Sequence, residues 1–206
     1  MPCYIHGEMD NKTDNIRHQI ERRLRESAGL KEKIAKSYVN EILSIAELII
    51  DAYRNGGKVV LFGNGGSAAD AQHIAGELVG QFLIKRQSFP AIALNTNTSI
   101  LTAIANDYGY DLIFTRQVEA MVDKGDVVIG ISTSGNSPNV VNAIELAKTK
   151  GAKTIGLTGG SGGKLAEAAD LTLTVPSDST PRIQEAHITI GHIICEIVEE
   201  ELAEVT

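Results

Sequence analysis

Two short loops in the sequence have the composition of phosphate-binding loops. The first, residues 63–67, follows the apolar run 58–62 and precedes a helical stretch. Its three glycines within four positions allow positive φ angles and a close approach of the backbone to an anion. Ser67 stands three residues before Asp70, a spacing that predicts a helix N-cap at Ser67. The sequence therefore predicts an anion site between a buried strand and a helix.

The second loop, residues 131–137, also lies between an apolar run, 126–131, and a helical stretch. Hydroxyl groups bind a phosphomonoester through several hydrogen bonds without needing Lys or Arg. A well-capped helix has a similar composition, so one such loop alone would not decide between the two interpretations. Two such loops on one predicted sheet favour a single phosphate-bearing ligand. The hydroxyl-bearing residues of the second loop are Ser132, Thr133, Ser134 and Ser137.

The helical stretch after the first loop carries His73 and Glu77, which are four residues apart and therefore share one helix face. In the last helix, Gln184, Ile188 and His192 share a face in the same way. Two imidazoles, a carboxylate and an amide oxygen could together bind one divalent metal ion. A histidine and a glutamate at this spacing are more commonly a surface pair, and the spacing alone leaves both interpretations open.

Other chemistries fit the sequence poorly. No Lys follows the first loop as a nucleotide P-loop requires, and the third glycine of the dinucleotide fingerprint is missing, so no nucleotide cofactor is expected. Cys195 lies among isoleucines and is predicted to be a core residue rather than a nucleophile. A net charge of −7 disfavours binding to nucleic acid. No apolar run reaches the roughly 20 residues of a membrane span. With no signal-peptide pattern, the sequence predicts a cytoplasmic protein without membrane or nucleic-acid partners.

Apolar runs alternate with amphipathic segments along the chain, a pattern typical of a parallel sheet covered by helices on both faces. The sequence predicts an α/β fold, namely a three-layer α-β-α sandwich of flavodoxin or Rossmann type with a five-stranded parallel sheet. Two helical segments, 15–27 and 31–53, precede the first strand, and a third, 181–203, follows the last. These flanking helices are expected to form an oligomer surface. The predicted strands are 58–62, 91–94, 126–131, 153–157 and 171–175.

The domain organisation predicted from the same pattern is simple. Residues 1–14 form a polar N-terminal extension with no assigned role, and residues 15–206 form one domain. The glycine-rich stretch 158–163 is interpreted as a loop after the fourth strand.

Four motifs, in order along the chain, resemble those of the sugar isomerase (SIS) superfamily and, within it, of the phosphoheptose isomerases. The resemblance covers about residues 16–205 and implies the SIS fold. It also implies an aldose–ketose isomerase that converts D-sedoheptulose 7-phosphate to D-glycero-D-manno-heptose 7-phosphate through an enediol. The product would supply nucleotide-activated heptose for lipopolysaccharide core or capsule. The four motifs are residues 63–73, 105–109, 130–137 and 182–187.

The resemblance assigns roles to individual residues. Glu77 would be the base that moves a proton between carbons, and His192 would transfer protons on the oxygens. One Zn²⁺ per subunit and a homotetramer with active sites between subunits are also implied. The implied zinc ligands are His73, Glu77, Gln184 and His192. The implied substrate-binding residues are Asn64, Gly65, Gly66, Ser67, Glu77, Asn106, Asp107, Ser132, Thr133, Ser134, Ser137 and Gln184.

The sequence leaves alternatives to this isomerase, and it departs from the family at one position. Related SIS proteins associate with the bacterial replication initiator without catalysis, and they lack the proton-transfer residues that Glu77 and His192 supply here. An isomerase for another sugar phosphate, or a phosphosugar-sensing regulator, would use the same phosphate loops. Pro181 departs from the family, in which many members have an acidic residue that contacts substrate, although Asp178 is nearby.

Overall fold

The chain folds as a five-stranded parallel sheet between two layers of helices. A computed structural model describes the backbone of residues 5–203 and the side chains of residues 13–203. The strands are β1 (Val59–Gly63), β2 (Ala91–Ala93), β3 (Val127–Ile131), β4 (Lys153–Gly159) and β5 (Leu171–Val175). The helices are α1 (Ile5–Ser37), α2 (Val39–Arg54), α3 (Gly66–Val79), α4 (Thr98–Tyr108), α5 (Thr115–Met121), α6 (Pro138–Thr149), α7 (Gly163–Ala168) and α8 (Thr180–Leu202), with a 3₁₀ turn at Tyr110–Leu112.

The strand order, β2-β1-β3-β4-β5, confirms the predicted fold class and locates the edge at which ligands bind. All neighbouring strands are parallel, and all five predicted strands are present to within two residues at either end. The chain proceeds to one side of β1 to form β2 and to the other side to form β3. A crevice opens at such a reversal, beyond the carboxyl ends of the strands. Both predicted phosphate loops begin here, because Gly63 and Ile131 are register partners.

The two helical layers pack on opposite faces of the sheet through alternate strand residues. Val59 and Leu61 belong to the core cluster formed with α2, α3 and α8. Val60 and Phe62 belong to the other cluster, formed with α5, α6 and α7. Every residue of β1 and β3 is buried, as expected for central parallel strands with apolar side chains on both faces. The central strands therefore give the two loops a rigid base.

The predicted division of the N-terminal helical region is wrong. The sequence indicated a break between residues 27 and 31, whereas α1 continues through Gly29 and ends at Ser37. A mid-helix glycine costs only about 1 kcal/mol, and contacts to α8 on both sides of Gly29 offset that cost. Ser27 donates to Glu185 at 2.8 Å, and Ile34 is buried in the core. The break occurs instead at Tyr38, whose φ of −125° is not helical.

Two other predicted boundaries lie at the glycine-rich stretch after β4 and at residue 15. The stretch predicted as a loop at 158–163 begins as strand, because β4 extends to Gly159 and α7 starts at Gly163. The proposed boundary between extension and domain at residue 15 stays a prediction, and α1 runs across it. Among the described residues, no helix has the length and apolar character that a membrane crossing needs.

Helices α3 and α8 lie side by side and run in the same direction, which brings two distant parts of the sequence together. Gly191 approaches Ile74 so closely that an added Cβ would lie 2.7 Å from the isoleucine side chain. Nearer the start of both helices, the Gln184 amide lies against Gly66. The face of α3 that carries His73 and Glu77 therefore meets the face of α8 that carries His192.

A buried histidine on α8 makes the stability of the fold depend on pH. His187 is fully buried, its Nε2 lies 3.0 Å from the Thr158 carbonyl oxygen, and burial lowers its pKa to about 4 although that hydrogen bond opposes the shift. The unfolded chain takes up this proton near pH 6.5, whereas the folded chain does so only near pH 4. The stabilisation of the fold by neutral, buried His187 is therefore complete above pH 6.5 and is lost as the pH falls towards 4.

We expect urea unfolding to show a loss of about 3 kcal/mol across this pH window from His187 alone. A His187→Leu variant should lose that part of the pH dependence, because Leu has no proton to bind. An unchanged pH dependence in the variant would show that other groups cause it.

Candidate active site

The first loop is shaped by a glycine that no other residue could replace without strain. Gly65 has a φ of 57° and is the N-cap of α3, which begins at Gly66. The prediction that Ser67 caps the helix is therefore wrong. Ser67 lies in the first turn and is buried against the backbone of Gly63, where an added Cβ would lie 2.8 Å from that of Ser67. Ser67 thus packs the turn, while Gly65 and Gly66 expose backbone at the carboxyl edge of the sheet.

The second loop has its hydroxyl groups collected at the start of α6. Ser132 is buried and its Oγ lies 3.0 Å from Ser137 Oγ, so these two hydroxyls are neighbours. Ser134 is exposed, and its Oγ accepts a hydrogen bond from the Asn136 backbone N–H at 3.2 Å. Helix α6 starts at Pro138, a favoured first-turn residue, and its positive end faces this loop. The arrangement fits a doubly charged phosphate group.

A hydrogen-bonded amide pair that the sequence reasoning missed connects the two loops. Asn64 Nδ2 donates to Asn139 Oδ1 at 2.9 Å, and Asn139 Nδ2 donates back to Asn64 Oδ1 at 3.0 Å. Asn139 is almost fully buried. The Tyr110 hydroxyl also donates to Asn64 Oδ1, at 3.0 Å. This pairing fixes the orientation of the Asn64 amide, which the family resemblance places against the sugar.

His73, Glu77 and His192 form one cluster, as the helical spacing and the resemblance predicted. One ligand atom from each lies within 4.8 Å of the others. His73 Nε2 is 3.1 Å from Glu77 Oε1 and 2.9 Å from His192 Nε2. The Glu77 side chain is about one quarter exposed, at 23 %, and that of His73 is half exposed. The cluster is therefore accessible to a ligand.

The cluster fits a divalent metal ion on the chemistry of its donors. Two imidazole nitrogens and one carboxylate oxygen are a common ligand set for catalytic zinc, which keeps a fourth position open. The three donor atoms already face one another within 4.8 Å. The residues present can therefore hold such an ion without a change of fold.

Gln184, the fourth predicted ligand, lies at the other end of the α3–α8 contact. An added Cβ on Gly66 would lie 2.2 Å from Gln184 Nε2 and 2.4 Å from its Oε1. Beside it, burial raises the pKa of Asp70, whereas the Gln184 amide and the His73 imidazole oppose that rise. Because a carboxylate only accepts, Asp70 favours the Gln184 orientation in which Nε2 faces it. The role of Gln184 as a metal ligand stays a prediction.

Replacement of Gly66 by Ala is expected to displace the Gln184 amide, because the new methyl group would overlap it. If Gln184 contacts substrate or metal as the resemblance implies, kcat/KM should fall by about 10- to 100-fold. Gly76→Ala on the same helix is a matched control, since an added Cβ there meets nothing within 4 Å. Steady-state kinetics and zinc affinity of both variants test this. If folded Gly66→Ala had wild-type kinetics, Gln184 would not contact substrate or metal.

Of the remaining predicted site residues, Thr133 in the second loop is partly buried, and the two on α4 are exposed in the single chain. Asn106 and Asp107 lie at the end of α4, both exposed, with Asn106 Nδ2 donating to Asp107 Oδ1 at 2.7 Å. Pro181 lies in the first turn of α8. Cys195 is buried, and burial raises its pKa to about 12, which agrees with the prediction that it is not a nucleophile.

Fold and site together define an SIS-type domain, and residues 24–159 match the SIS domain family. The chain is 56% identical over 183 residues to a phosphoheptose isomerase of Geobacter sulfurreducens, covering 89% of this chain and 97% of that protein. It is 55% identical over 186 residues to a phosphoheptose isomerase of Aquifex aeolicus, covering 90% and 97%.

A solved structure agrees with these sequence relatives. The phosphoheptose isomerase GmhA from Neisseria gonorrhoeae superposes with a TM-score of 0.85 at 42% identity, covering 90% of this chain and 99% of that one. The chain belongs to the phosphoheptose isomerase family of SIS-domain proteins and is an isomerase. The non-catalytic binding protein considered from the sequence is therefore set aside.

Proposed function

We propose that this isomerase interconverts D-sedoheptulose 7-phosphate and D-glycero-D-manno-heptose 7-phosphate, with Glu77 and His192 as its proton-transfer pair. The observation that carries the proposal is the cluster in which both side chains contact His73. Glu77 lies on the helix that starts from the first loop, and that loop is paired with the hydroxyl-rich loop through Asn64 and Asn139. These contacts support the assignment of the base and the phosphate site to one crevice.

The isomerisation moves one proton between two carbons and one between two oxygens. Glu77 takes a proton from C1 of the ketose, and the electron pair forms the C1–C2 double bond of the enediol. His192 donates a proton to the carbonyl oxygen on C2 and accepts one from the hydroxyl on C1. Glu77 then returns its proton to C2, which leaves an aldehyde at C1. Because Oε1 faces His73, Oε2 is the Glu77 oxygen assigned to carry the proton.

We infer that one Zn²⁺ per subunit is held by His73, Glu77 and His192, with Gln184 as a fourth ligand. The support is the donor set and the mutual approach of its three described members. When bound, the ion would supply Lewis acidity that polarises the substrate carbonyl. The chain's own residues would still orient the sugar and transfer the protons.

The substrate assignments extend this proposal to both loops. Ser132, Thr133, Ser134 and Ser137 would bind the phosphate through hydroxyl and backbone donors. The first loop and the end of α4 would contact the sugar hydroxyls. The residues proposed for that contact are Asn64, Gly65, Gly66, Ser67, Glu77, Asn106, Asp107 and Gln184.

A homotetramer with active sites between subunits is also proposed, on two exposed surfaces of the single chain. A groove of about 360 Å³ between α1, α2 and α8 is almost entirely apolar, and Val39 beside it is 56% exposed. On the opposite face of the sheet, α4 has no buried residue, and Asn106 and Asp107 near its end are exposed. Two different self-complementary surfaces build a tetramer with dihedral symmetry.

The cellular context completes the proposal. An acidic chain with two cysteines agrees with a cytoplasmic enzyme without nucleic-acid or membrane partners. Its product would enter synthesis of nucleotide-activated heptose for lipopolysaccharide core or capsule.

The test is to incubate the zinc-saturated protein with sedoheptulose 7-phosphate and to follow aldoheptose phosphate by NMR. Turnover that disappears with dephosphorylated sedoheptulose would support both the substrate and the phosphate loops. Light scattering of the same sample gives the subunit number. Failure to turn over the heptose phosphate, alongside turnover of a pentose or hexose phosphate, would overturn the substrate assignment and retain the isomerase.

A further inference from the structure

The geometry points to Arg86 and Glu199 as a positioning pair that sets the separation of Glu77 and His192. This inference rests on the proposed function for its kinetic consequence. Both side chains are almost fully buried, with 3% and 1% exposed, and Arg86 Nε lies 2.9 Å from Glu199 Oε1. Neither residue was singled out from the sequence. A buried ion pair is costly unless further hydrogen bonds satisfy both groups, so its remaining partners reveal what it holds in place.

Arg86 holds the carboxyl end of the helix that carries Glu77. Its Nη2 donates to the Glu77 carbonyl oxygen at 2.9 Å, and its Nη1 lies 3.0 Å from the Leu78 carbonyl oxygen and 3.1 Å from that of Gly80. The Glu77 and Leu78 carbonyls belong to the last turn of α3 and that of Gly80 to its C-cap, where the helix itself supplies no donors. The guanidinium charge also complements the negative end of the helix dipole. The backbone position of Glu77 is thus fixed directly by Arg86.

Glu199 holds the segment between α3 and β2, residues 80–90, against α8. Its carboxylate accepts hydrogen bonds from three successive backbone N–H groups, those of Phe82 at 3.2 Å, Leu83 at 2.6 Å and Ile84 at 2.9 Å. Burial alone would raise the pKa of Glu199, but these donors together with Arg86 lower it below its ordinary value. The carboxylate is therefore charged at neutral pH and fully engaged.

The segment held by Glu199 reaches the second member of the proposed catalytic pair. The Phe82 ring stacks on the His192 ring, with centroids 5.7 Å apart and planes inclined by 22°. His192 is on α8, two turns before Glu199. Arg86 acts on Glu77 through its carbonyl, and Glu199 acts on His192 through Phe82. One buried ion pair thereby links the two side chains across separate helices.

The chain provides a matched control at the opposite end of the sheet. Asp126 is buried, its Oδ2 lies 2.7 Å from Lys58 Nζ, and its carboxylate accepts from the backbone N–H groups of Lys58 and Asp123. It resembles Glu199 in chemistry but precedes β3, whereas the site lies beyond the carboxyl end of that strand. Loss of Asp126 reports the structural cost of breaking such a pair.

We would compare Glu199→Gln, Arg86→Lys and Asp126→Asn in the full chain by urea unfolding, steady-state kinetics and zinc affinity. Glu199→Gln and Arg86→Lys should lower kcat by about 10- to 100-fold with little change in KM. They should also weaken zinc binding by about 10- to 100-fold, measured by competition with a chelator. Asp126→Asn should be less stable with wild-type kcat and zinc affinity.

A Phe82→Leu variant keeps the inference testable if the ion-pair variants fail to fold. It leaves the ion pair in place and removes the contact of the ring with His192. It should lower kcat, as the ion-pair variants do. Folded variants of Glu199 or Arg86 that behave like Asp126→Asn would show a purely structural pair, and so would Phe82→Leu with wild-type kcat and zinc affinity. Absence of turnover in the wild type would contradict the proposed function but not the role of the ion pair. Zinc affinity would still distinguish the Glu199 and Arg86 variants from Asp126→Asn.

Discussion

Glu77→Gln is expected to lower kcat about 10³-fold, the largest effect of any single substitution considered. Glutamine preserves the size of the side chain and can still meet His73 Nε2, which lies 3.1 Å from Oε1 in the wild type. An amide cannot accept a proton from carbon, so the step that forms the enediol loses its base. Product formation from sedoheptulose 7-phosphate, followed by NMR in deuterated water, measures both turnover and exchange of the C1 proton.

The control for Glu77→Gln is Glu119→Gln on the surface of α5. Glu119 is exposed and pairs with Arg116 at 2.8 Å, so its loss should leave kcat unchanged. Zinc content must be measured in the Glu77 variant, since an empty metal site would also lower turnover. Deuterium exchange at C1 at the wild-type rate in a zinc-loaded variant would rule out Glu77 as the base.

The sheet could be predicted from the sequence because its information is local. The central strands β1 and β3 are short apolar runs between polar residues, and both are buried on both faces. The N-terminal helices were harder. The predicted break between residues 27 and 31 contains Gly29, but contacts to α8 on either side of Gly29 outweigh its low helix propensity. Such compensation depends on residues more than 150 positions away.

The members of the metal-type cluster could be proposed from helix periodicity, since His73 and Glu77 share a face by spacing alone. That His192 could join them was one of two open interpretations until the family resemblance favoured it, because no local pattern predicts which helix packs beside α3. The cap at Ser67 was mispredicted for a different reason. A serine near the start of a helix satisfies the usual capping pattern, whereas the tight turn needs a positive φ two residues earlier, at Gly65.

The residues that the sequence did not reveal are those that connect distant segments. Asn139 is paired with Asn64 across 75 positions, and Glu199 accepts from Phe82 across 117. An asparagine in a helix and a glutamate near a C-terminus are unremarkable as residue types. Their importance comes from burial together with full hydrogen bonding, which only the folded structure provides.

His192→Gln is expected to lower kcat about 10²- to 10³-fold, because no group would then transfer protons on the substrate oxygens. The reaction needs one donor to the C2 oxygen and one acceptor from the C1 hydroxyl, and an imidazole performs both near neutral pH. His192 Nε2 is 2.9 Å from His73 Nε2, so both histidines belong to the same cluster. Their separate roles can be resolved only by comparing them.

His73→Gln is the matched comparison, because it removes the other imidazole of the proposed metal site. If His192 served only as a ligand, both variants would lose zinc affinity and kcat to the same degree, and excess zinc would restore both. We expect excess zinc to restore His73→Gln much further than His192→Gln, because zinc cannot replace the proton transfer. Equal recovery of the two variants would show that His192 is only a metal ligand. Another group would then transfer the protons on the substrate oxygens.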